Sequence, residues 1–263
     1  MKTPKWKMPP PSRRNNWNFI RCKEEDTFME ERYIRQTILP QIGLDGQQKL
    51  QQSRVAVVGA GGLGSPVLYY LVAAGIGQIT MIDQDTVSLS NLNRQILHTQ
   101  EDIGREKVIS AGEKLQKLNP NVQLQLISHV LSANTMEQDL SQADVVLCCV
   151  DNIATRRLLA ESCHALQLPL IDGGIDGFCG YILCTLKPEN PCYNCVFPQS
   201  PPQNGPIPAL GSTAGVIGSL MANECIKYLL DLPPLKGMLV VDLLHMTFDT
   251  LAVSKNPQCS CNH

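Results

Sequence analysis

The regular alternation of short apolar strands and helices between residues 55 and 172 is the feature that most constrains the fold of this chain. Strands that alternate with helices favour a mostly parallel, doubly wound α/β sheet. The predicted strands cover residues 55–58, 79–83, 122–127, 144–150 and 169–172, and the predicted helices between them cover residues 63–74, 105–118 and 154–166.

The two ends of the chain depart from this alternation. Residues 1–28 are rich in Pro, Lys, Arg and Asn without periodicity, so we expect a flexible tail ahead of one domain over residues 29–263. Helices are predicted from Glu30 to a break at Pro40 and over residues 46–52. Near the C-terminus the pattern predicts an extended segment, a long apolar helix and two short strands, over residues 181–186, 214–230, 238–242 and 247–253. We therefore expect a Rossmann-like sheet with a C-terminal extension of antiparallel strands.

Composition and charge argue against several classes of protein. The 263 residues contain no run of 18 or more apolar residues, so we expect no membrane-spanning helix. Residues 8–12 read Met-Pro-Pro-Pro-Ser, which is not the apolar core of a signal peptide, and we expect a cytoplasmic protein. With 22 basic and 24 acidic residues, the net charge of −2 gives no general attraction to nucleic acid or to an anionic membrane.

A glycine-rich turn, Gly59-Ala-Gly61-Gly62-Leu-Gly64, lies between the first predicted strand and the helix that follows it. Such a turn lets phosphate groups approach the backbone N–H groups at the helix N-terminus. Asp83 ends the next predicted strand, where a carboxylate can bind ribose hydroxyl groups. The pattern predicts a nucleotide site. Taken alone it would favour NAD, but it does not identify the nucleotide.

Residues 83–95 add two carboxylates, an amide and a guanidinium just beyond the second strand. That is the carboxyl edge of the sheet, where open α/β folds bind ligands. Lys107 follows near the start of a predicted helix. Arg94 and Lys107 near a glycine-rich turn suit a triphosphate, because the leaving pyrophosphate gains negative charge. A dinucleotide oxidoreductase has no need for such a pair, and a solvated basic surface is the remaining alternative.

Asp151-Asn152 follows the fourth predicted strand and precedes a helix. Asp151 in this position could cap the helix. A carboxylate at the sheet edge beside phosphate groups is also a natural Mg²⁺ ligand. From the residues alone, both interpretations stay open.

Eleven cysteines are many for a chain expected in the cytoplasm. Most lie in apolar stretches and are typical of core residues. Cys192 and Cys195 form a CxxC pair, and Cys259 and Cys261 form a CxC pair near the C-terminus. In a reducing compartment such pairs favour metal ligation over disulfides, and CxxC has the spacing of half a structural Zn²⁺ site. Free thiols are the alternative.

Taken together, these motifs resemble the ThiF/MoeB/HesA family, the bacterial relatives of ubiquitin-activating enzymes. The resemblance spans residues 32–261, and the combination is far more specific than any single motif. The matching segments are Arg32-Tyr-Ile-Arg35-Gln, residues 59–64, residues 83–95, Lys107, Cys149-Val-Asp151-Asn152, Pro191-Cys-Tyr-Asn-Cys195 and Gly215-Val-Ile-Gly-Ser-Leu220.

The resemblance implies ATP as the nucleotide and a role for each site residue. Gly62 and Asp83 would hold the nucleotide, and Asp151 would bind Mg²⁺. Family members are homodimers in which an N-terminal arginine crosses to the partner's ATP site, and Arg35 occupies the matching position. The implied phosphate contacts are Asn91, Arg94 and Lys107. The candidate catalytic residues are Arg35, Arg94, Lys107 and Asp151, and the candidate nucleotide-binding residues are Gly59, Gly61, Gly62, Gly64, Asp83, Asp85, Asn91, Arg94, Lys107 and Asn152.

The resemblance also implies the reaction. The diglycine C-terminal carboxylate of a ubiquitin-like sulfur-carrier protein would attack the α-phosphate of ATP, giving an acyl-adenylate and pyrophosphate. Other carboxylates are alternative substrates, either on a ribosomal peptide or on the threonylcarbamoyl group of a tRNA base. A nucleotide-binding scaffold without turnover is a further alternative.

Two departures from the family pattern matter. The family has a second CxxC near the C-terminus, whereas this chain ends in a CxC followed by a terminal histidine, so Cys261 or His263 could complete the zinc site. Many relatives also carry a cysteine between the first CxxC and the Gly-Val-Ile-Gly helix. Residues 196–215 contain none, so we expect the reaction to stop at the acyl-adenylate.

Overall fold

In the computed structural model, which describes residues 24–199, 205 and 207–262, the central strands pair in parallel. The parallel strands are β1 (Arg54–Val58), β2 (Gln78–Ile82), β3 (Gln123–Ile127), β4 (Val145–Cys148) and β5 (Leu170–Asp176). The extension adds three antiparallel strands, β6 (Cys179–Thr185), β7 (Met238–Asp242) and β8 (Thr247–Leu251). The order across the sheet is β3-β2-β1-β4-β5-β6-β7-β8. The predicted parallel sheet with an antiparallel extension is therefore confirmed.

Helices cover both faces of the sheet. In chain order they are α1 (Glu24–Thr37), α2 (Gly43–Gln52), α3 (Gly64–Ala74), α4 (Lys107–Leu118), α5 (Ala133–Leu140), α6 (Ile153–Ala165), α7 (Tyr193–Val196) and α8 (Gly211–Leu229). Short 3₁₀ turns lie at Leu89–Asn91, Gln100–Asp102 and Ser260–Asn262. Among the described helices, none is both long and apolar enough to cross a membrane.

Alternate residues of each central strand enter two separate cores. Val55 and Val57 of β1 pack in the core beneath α3, α4 and α8, whereas Ala56 and Val58 pack in the core beneath α5 and α6. All four side chains are at most 2% exposed. Burial on both faces explains why β1 reads as an unbroken apolar run and not as an alternating one.

The order of the strands places a crevice between β1 and β4. The chain winds outward from β1 through β2 to β3, and then returns to place β4 on the other side of β1. In open α/β sheets, ligands bind at such a switch point, beyond the carboxyl ends of the strands. The residues that follow β1 and β4, Gly59 and Cys149, meet at this point.

Some predicted boundaries differ from the structure. Helix α1 begins at Glu24, ahead of the predicted start at Glu30, and it includes the last residues assigned to the flexible tail. Residues 1–23 of the predicted flexible tail fall outside the described residues. Helix α5 was not predicted, because it is only eight residues long and only Met136 and Leu140 among them are buried. Strand β5 continues beyond the predicted end at residue 172 to Asp176, where it pairs with β6.

Candidate active site

A cavity of about 630 Å³ opens at the carboxyl edge of the sheet. One end lies at the glycine-rich turn after β1, and the other end lies against the antiparallel strands β6 and β7. Most of the candidate residues line it. They are Gly59, Gly61, Gly62, Asp83, Asp85, Arg94, Lys107, Asp151 and Asn152.

The glycine-rich turn brings its backbone against the loop after β4. Gly59 has a φ of +98°, and a Cβ atom there would lie 2.7 Å from the carbonyl oxygen of Cys149. At Gly64 a Cβ atom would lie 1.9 Å from the carbonyl oxygen of Gly59. Gly64 does not line the cavity, so its place in the turn is set by close packing at the start of α3.

Asp83 is held by backbone donors at the end of β2. Its Oδ2 accepts a hydrogen bond from the N–H of Ala60 at 2.7 Å, and its Oδ1 accepts one from the N–H of Asp85 at 2.9 Å. Burial raises the pKa of the Asp83 carboxyl, and the charge of Lys107, 3.9 Å away, opposes that shift. This carboxylate therefore fixes the glycine-rich turn to the second strand.

Lys107 begins helix α4 and lies in the cavity wall with its side chain 7% exposed. Its Nζ donates to Oδ2 of Asp85 at 2.8 Å. Asp85 is 58% exposed, so the pair lies at the boundary between the cavity and solvent. The ammonium group is thus close to the glycine-rich turn, and its charge is balanced by the carboxylates of Asp83 and Asp85.

Arg94 lies in the cavity wall beside Gly62, and its side chain is hydrogen-bonded to the residues just before it. Its Nη1 donates to the carbonyl oxygen of Ser90 and to Oδ1 of Asn93, both at 2.9 Å. Asn91 has a different place. It does not line the cavity, and its Oδ1 accepts a hydrogen bond from the N–H of Ser88 at 3.1 Å. Asn91 therefore stabilises the turn that carries Arg94.

Asp151 and Asn152, which follow β4 after Cys149 and Val150, divide the roles that the sequence left open. Asn152 is the N-cap of α6, since its Oδ1 accepts a hydrogen bond from the N–H of Thr155 at 2.8 Å. The capping interpretation of Asp151 is wrong, because the helix begins one residue later than that interpretation requires. Asp151 is exposed in the cavity wall, and no described side chain or backbone group bonds to its carboxylate.

Arg35 does not reach this cavity within its own chain. It lies in the last turn of α1, and its side chain is exposed. The other three predicted catalytic residues, Arg94, Lys107 and Asp151, line the cavity, whereas Arg35 does not.

A buried ion-pair network that the sequence did not predict forms the wall behind Asp151. The guanidinium of Arg156 is paired with the carboxylate of Asp172 and donates to the carbonyl oxygen of Gly173 at 2.8 Å. The hydroxyl of Tyr181 donates to Oδ2 of Asp172 at 2.8 Å. The same guanidinium lies 5.6 Å from the ring centre of Tyr193. Burial lowers the pKa of Arg156, but the negative charge of Asp172 outweighs this effect and the pKa is raised overall, so the guanidinium keeps its charge.

The four predicted metal-ligating cysteines converge. Their sulfur atoms all lie within 4.8 Å of one another, and the four residues are buried. The Sγ atoms are separated by 3.8 Å for Cys192 and Cys195, 3.6 Å for Cys192 and Cys259, and 3.3 Å for Cys195 and Cys261. A tetrahedron of sulfur atoms about 2.3 Å from a central ion has edges of about 3.8 Å, so the cluster has the dimensions of a four-thiolate site. Cys261 therefore supplies the fourth sulfur atom of the cluster. The alternative residue, His263, falls outside the described residues.

A cation would also offset the cost of burying these sulfur atoms as thiolates. Burial raises the pKa of Cys192 to about 11, against the lowering effect of a hydrogen bond to the backbone of Cys195. Four adjacent thiolates in such surroundings repel one another and are poorly solvated. The cluster can hold a metal ion.

The sequence interpretation also overlooked one thiol in the cavity wall. Cys179 begins β6, is exposed, and lines the end of the cavity away from the glycine-rich turn. Cys225, by contrast, lies in the core beneath α8, where burial raises its pKa well above the usual range. Gly177 and Gly180 on either side of Cys179 are typical of a turn, but they do not indicate that this turn lies beside the cavity.

Comparison with known proteins supports the motif assignment. The ThiF family matches residues 33–261 of the chain. The sulfur carrier protein adenylyltransferase of Thermus thermophilus is 43% identical over 242 residues, which cover 87% of this chain and 89% of that protein. The SAMP-activating enzyme E1 of Haloferax volcanii is 38% identical over 242 residues, covering 89% of each. A crystal structure of Escherichia coli MccB shares the fold, with a TM-score of 0.78 and 22% identity over 88% of this chain and 72% of MccB. The chain therefore belongs to the ThiF family.

Proposed function

We propose that this chain uses ATP to adenylate the C-terminal carboxylate of a ubiquitin-like sulfur-carrier protein. The observation that carries the proposal is that Arg94, Lys107 and Asp151 line one cavity with the glycine-rich turn. The relatives at 38% and 43% identity are named as enzymes of this kind, and one of them is named for a sulfur carrier. The alternative carboxylates have no comparable support.

In this reaction an oxygen of the carrier's terminal carboxylate forms a bond to the α-phosphorus of ATP, and the bond from that phosphorus to the pyrophosphate oxygen breaks. The glycine-rich turn would hold the α- and β-phosphates with its N–H groups. Lys107 and Arg94 would stabilise the charge that develops on the leaving pyrophosphate. No general base is required, because a terminal carboxylate is already ionised near neutral pH.

Asp151 has the environment of a Mg²⁺ ligand, because it is exposed in the cavity wall and without a partner among the described residues. When bound there, Mg²⁺ would neutralise part of the triphosphate charge. Asp83 has a separate task. Its two oxygens already accept two backbone N–H groups, so it would position the turn and meet the ribose.

The far end of the cavity suits an extended peptide without side chains. Its walls include Gly174, Ile175, Tyr181 and Val240. The buried pair of Arg156 with Asp172 fixes Tyr181, so this wall is held rigidly. A diglycine tail would lie along it with its carboxylate directed towards the glycine-rich turn.

The four-cysteine cluster would hold Zn²⁺ in a structural role, because all four thiolates are protein ligands and no coordination position is left for a substrate. The homodimer is a further part of the proposal. Arg35 is exposed and remote from the cavity of its own chain, which supports a role in the site of a partner subunit.

The test is ATP–pyrophosphate exchange with candidate carrier proteins that end in Gly-Gly. We expect exchange with at least one carrier, and a loss of at least ~100-fold in Arg94→Ala and in Asp151→Ala, because each change removes charge stabilisation at the phosphates. Arg54→Ala is the matched control, since Arg54 is an exposed arginine at the opposite end of β1. Near-normal exchange in both site variants would contradict the proposal.

A further inference from the structure

His98 lies buried behind the glycine-rich turn, between that turn and helix α4. Its side chain is 5% exposed. Its Nε2 lies 3.1 Å from the carbonyl oxygen of Ala60, and its Nδ1 lies 2.9 Å from Oγ of Ser110. The imidazole thus spans the space between the middle of the turn and the first turns of α4.

The partners of the ring fix the position of its proton. The carbonyl oxygen of Ala60 can only accept a hydrogen bond, so Nε2 carries the proton and donates. Nδ1 is then the acceptor of the Ser110 hydroxyl proton. The oxygen of that hydroxyl accepts a hydrogen bond from Nζ of Lys114 at 2.9 Å, and the same ammonium is paired with Asp102. The result is one chain of hydrogen bonds that runs from Asp102 to the turn.

This chain joins the two elements that the proposed mechanism needs at a fixed separation. The N–H of Ala60 donates to Asp83, and its carbonyl accepts from His98, so the peptide groups on both sides of Ala60 are held. Helix α4 carries Lys107 at its first position and Ser110 one turn later. The imidazole therefore sets the position of the turn relative to the Lys107 ammonium.

We propose that His98 is a positioning residue for the triphosphate, acting through the glycine-rich turn and without touching the nucleotide. The inference rests on the proposed function, since it assumes that the turn and Lys107 hold the phosphates of ATP. In this proposal the neutral imidazole, with its proton on Nε2, holds the glycine-rich turn and Lys107 at a fixed separation. Loss of the bridge should weaken nucleotide binding more than carrier binding.

The charges around the ring favour its neutral form. Burial lowers the pKa of His98, and the ammonium groups of Lys107 and Lys114 lower it further, whereas the hydrogen bond to Ala60 and the carboxylate of Asp102 oppose the shift. Asp83 faces the same turn from β2. In the unfolded chain His98 takes up a proton near its usual pKa of 6.5, and the folded chain does so only at lower pH. The stability that the neutral ring contributes is therefore fully present above a pH of about 6.5 and is lost as the pH falls from there through the lower pKa of the folded chain.

The experiment compares His98→Phe with His98→Gln in the full-length protein. Phenylalanine keeps much of the volume and removes both hydrogen bonds, whereas the glutamine amide can donate to Ala60 and accept from Ser110. In ATP–pyrophosphate exchange we expect His98→Phe to raise the KM for ATP about tenfold and the KM for the carrier less than twofold. We expect His98→Gln to recover most of the affinity for ATP. His164→Phe, at a histidine in the last turn of α6, is the control and should leave both constants unchanged.

Direct binding of a non-hydrolysable ATP analogue by calorimetry separates this inference from the proposed function. If the wild-type protein shows no exchange but its analogue affinity still falls in His98→Phe, the proposed reaction fails and the positioning role stands. Unchanged ATP constants in a folded His98→Phe, or equal changes for ATP and carrier, would overturn the role. If the phenylalanine variant does not fold, Ser110→Ala removes one bond of the same bridge. Ser110→Ala should then raise the KM for ATP and leave the KM for the carrier unchanged. An unchanged KM for ATP in this variant would also overturn the positioning role of His98.

Discussion

Replacing Cys259 with alanine removes one of the four sulfur atoms that connect the C-terminal segment to helix α7. The connected cysteines are far apart in sequence, by 67 residues for Cys192 and Cys259 and by 66 residues for Cys195 and Cys261. A metal bound to all four therefore closes one long loop, the segment of chain between the two cysteine pairs. In the chain-entropy treatment of cross-links, closing one loop of this length is worth about 4 kcal/mol.

That magnitude sets the expected change in thermal stability. For a chain of this size, each kcal/mol shifts the unfolding midpoint by about 2–4 °C, so loss of the metal cross-link should lower it by about 10 °C. We expect about one zinc ion per wild-type chain by elemental analysis and much less in Cys259→Ala. A strong chelator should lower the midpoint of the wild-type protein by a similar amount and leave that of Cys259→Ala almost unchanged.

Cys163→Ala provides the matched control. Cys163 is a cysteine of the core beneath α6 with 2% exposure, and it lies outside the cluster. Its replacement should lower stability through the cavity that it leaves, but the variant should retain zinc and respond to the chelator as the wild type does. The reasoning would be refuted by a Cys259→Ala variant that keeps a full zinc ion, or by freshly purified wild-type protein with substoichiometric zinc.

Two further predictions concern assembly and local stability. We expect a dimer in solution, and we expect Arg35→Ala to impair exchange. Mixed dimers of Arg35→Ala and Asp151→Ala subunits should recover part of the activity, and no recovery in verified hybrids would mean that Arg35 does not act across the interface. Asn152→Ala should lower the free energy of unfolding by about 1 kcal/mol, because the first turn of α6 loses its cap, whereas Asp151→Ala should leave stability nearly unchanged in chemical denaturation. Equal stability losses in the two variants would contradict the capping assignment.

The sheet could be predicted from the sequence because its strands are buried on both faces. All residues from Val55 to Val58 are apolar, which is typical of a strand buried on both faces. The glycine-rich turn that follows them marks the end of the strand in the sequence itself. The positions of Asp83, Arg94 and Lys107 followed from this, since residues after parallel strands gather at one edge. Helix α5 escaped prediction because its eight residues include only two buried apolar side chains, Met136 and Leu140.

The features that escaped prediction depend on contacts between distant segments. Arg156 reads as an ordinary helical arginine until β5 places Asp172 against it, 16 residues along the chain. Cys179 could not be placed beside the cavity without the antiparallel register of β6 against β5 and β7. The sequence could not decide whether Asp151 or Asn152 caps α6, because the two residues are adjacent and both types are common caps. The backbone decides it, since Asn152 has the extended conformation of an N-cap and the helix begins at the next residue.

The position of Cys179 bears on where the reaction ends. Two cysteines line the described cavity, Cys149 and Cys179. Cys149 lies nearer the glycine-rich turn, but it is buried and burial raises its pKa well above the usual range, so it is a poor nucleophile. Cys179 is the exposed one. However, β6 lies three strands away from β1, which carries the glycine-rich turn, and three strand spacings amount to about 14 Å. A sulfur atom must approach the acyl carbon to about 3–3.5 Å before it can attack.

We therefore expect the reaction to stop at the acyl-adenylate, with sulfur or amine supplied by another molecule. The protein, Mg·ATP and carrier are incubated together and separated by denaturing electrophoresis without reductant, while pyrophosphate is measured in parallel. Pyrophosphate release without a thiol-sensitive adduct is the expected outcome. An adduct that is present in the wild type and absent in Cys179→Ser would show that the acyl group travels the length of the cavity. An adduct that persists in Cys179→Ser but disappears in Cys225→Ser would instead mean that helix α8 opens during turnover, because Cys225 is buried in the described fold.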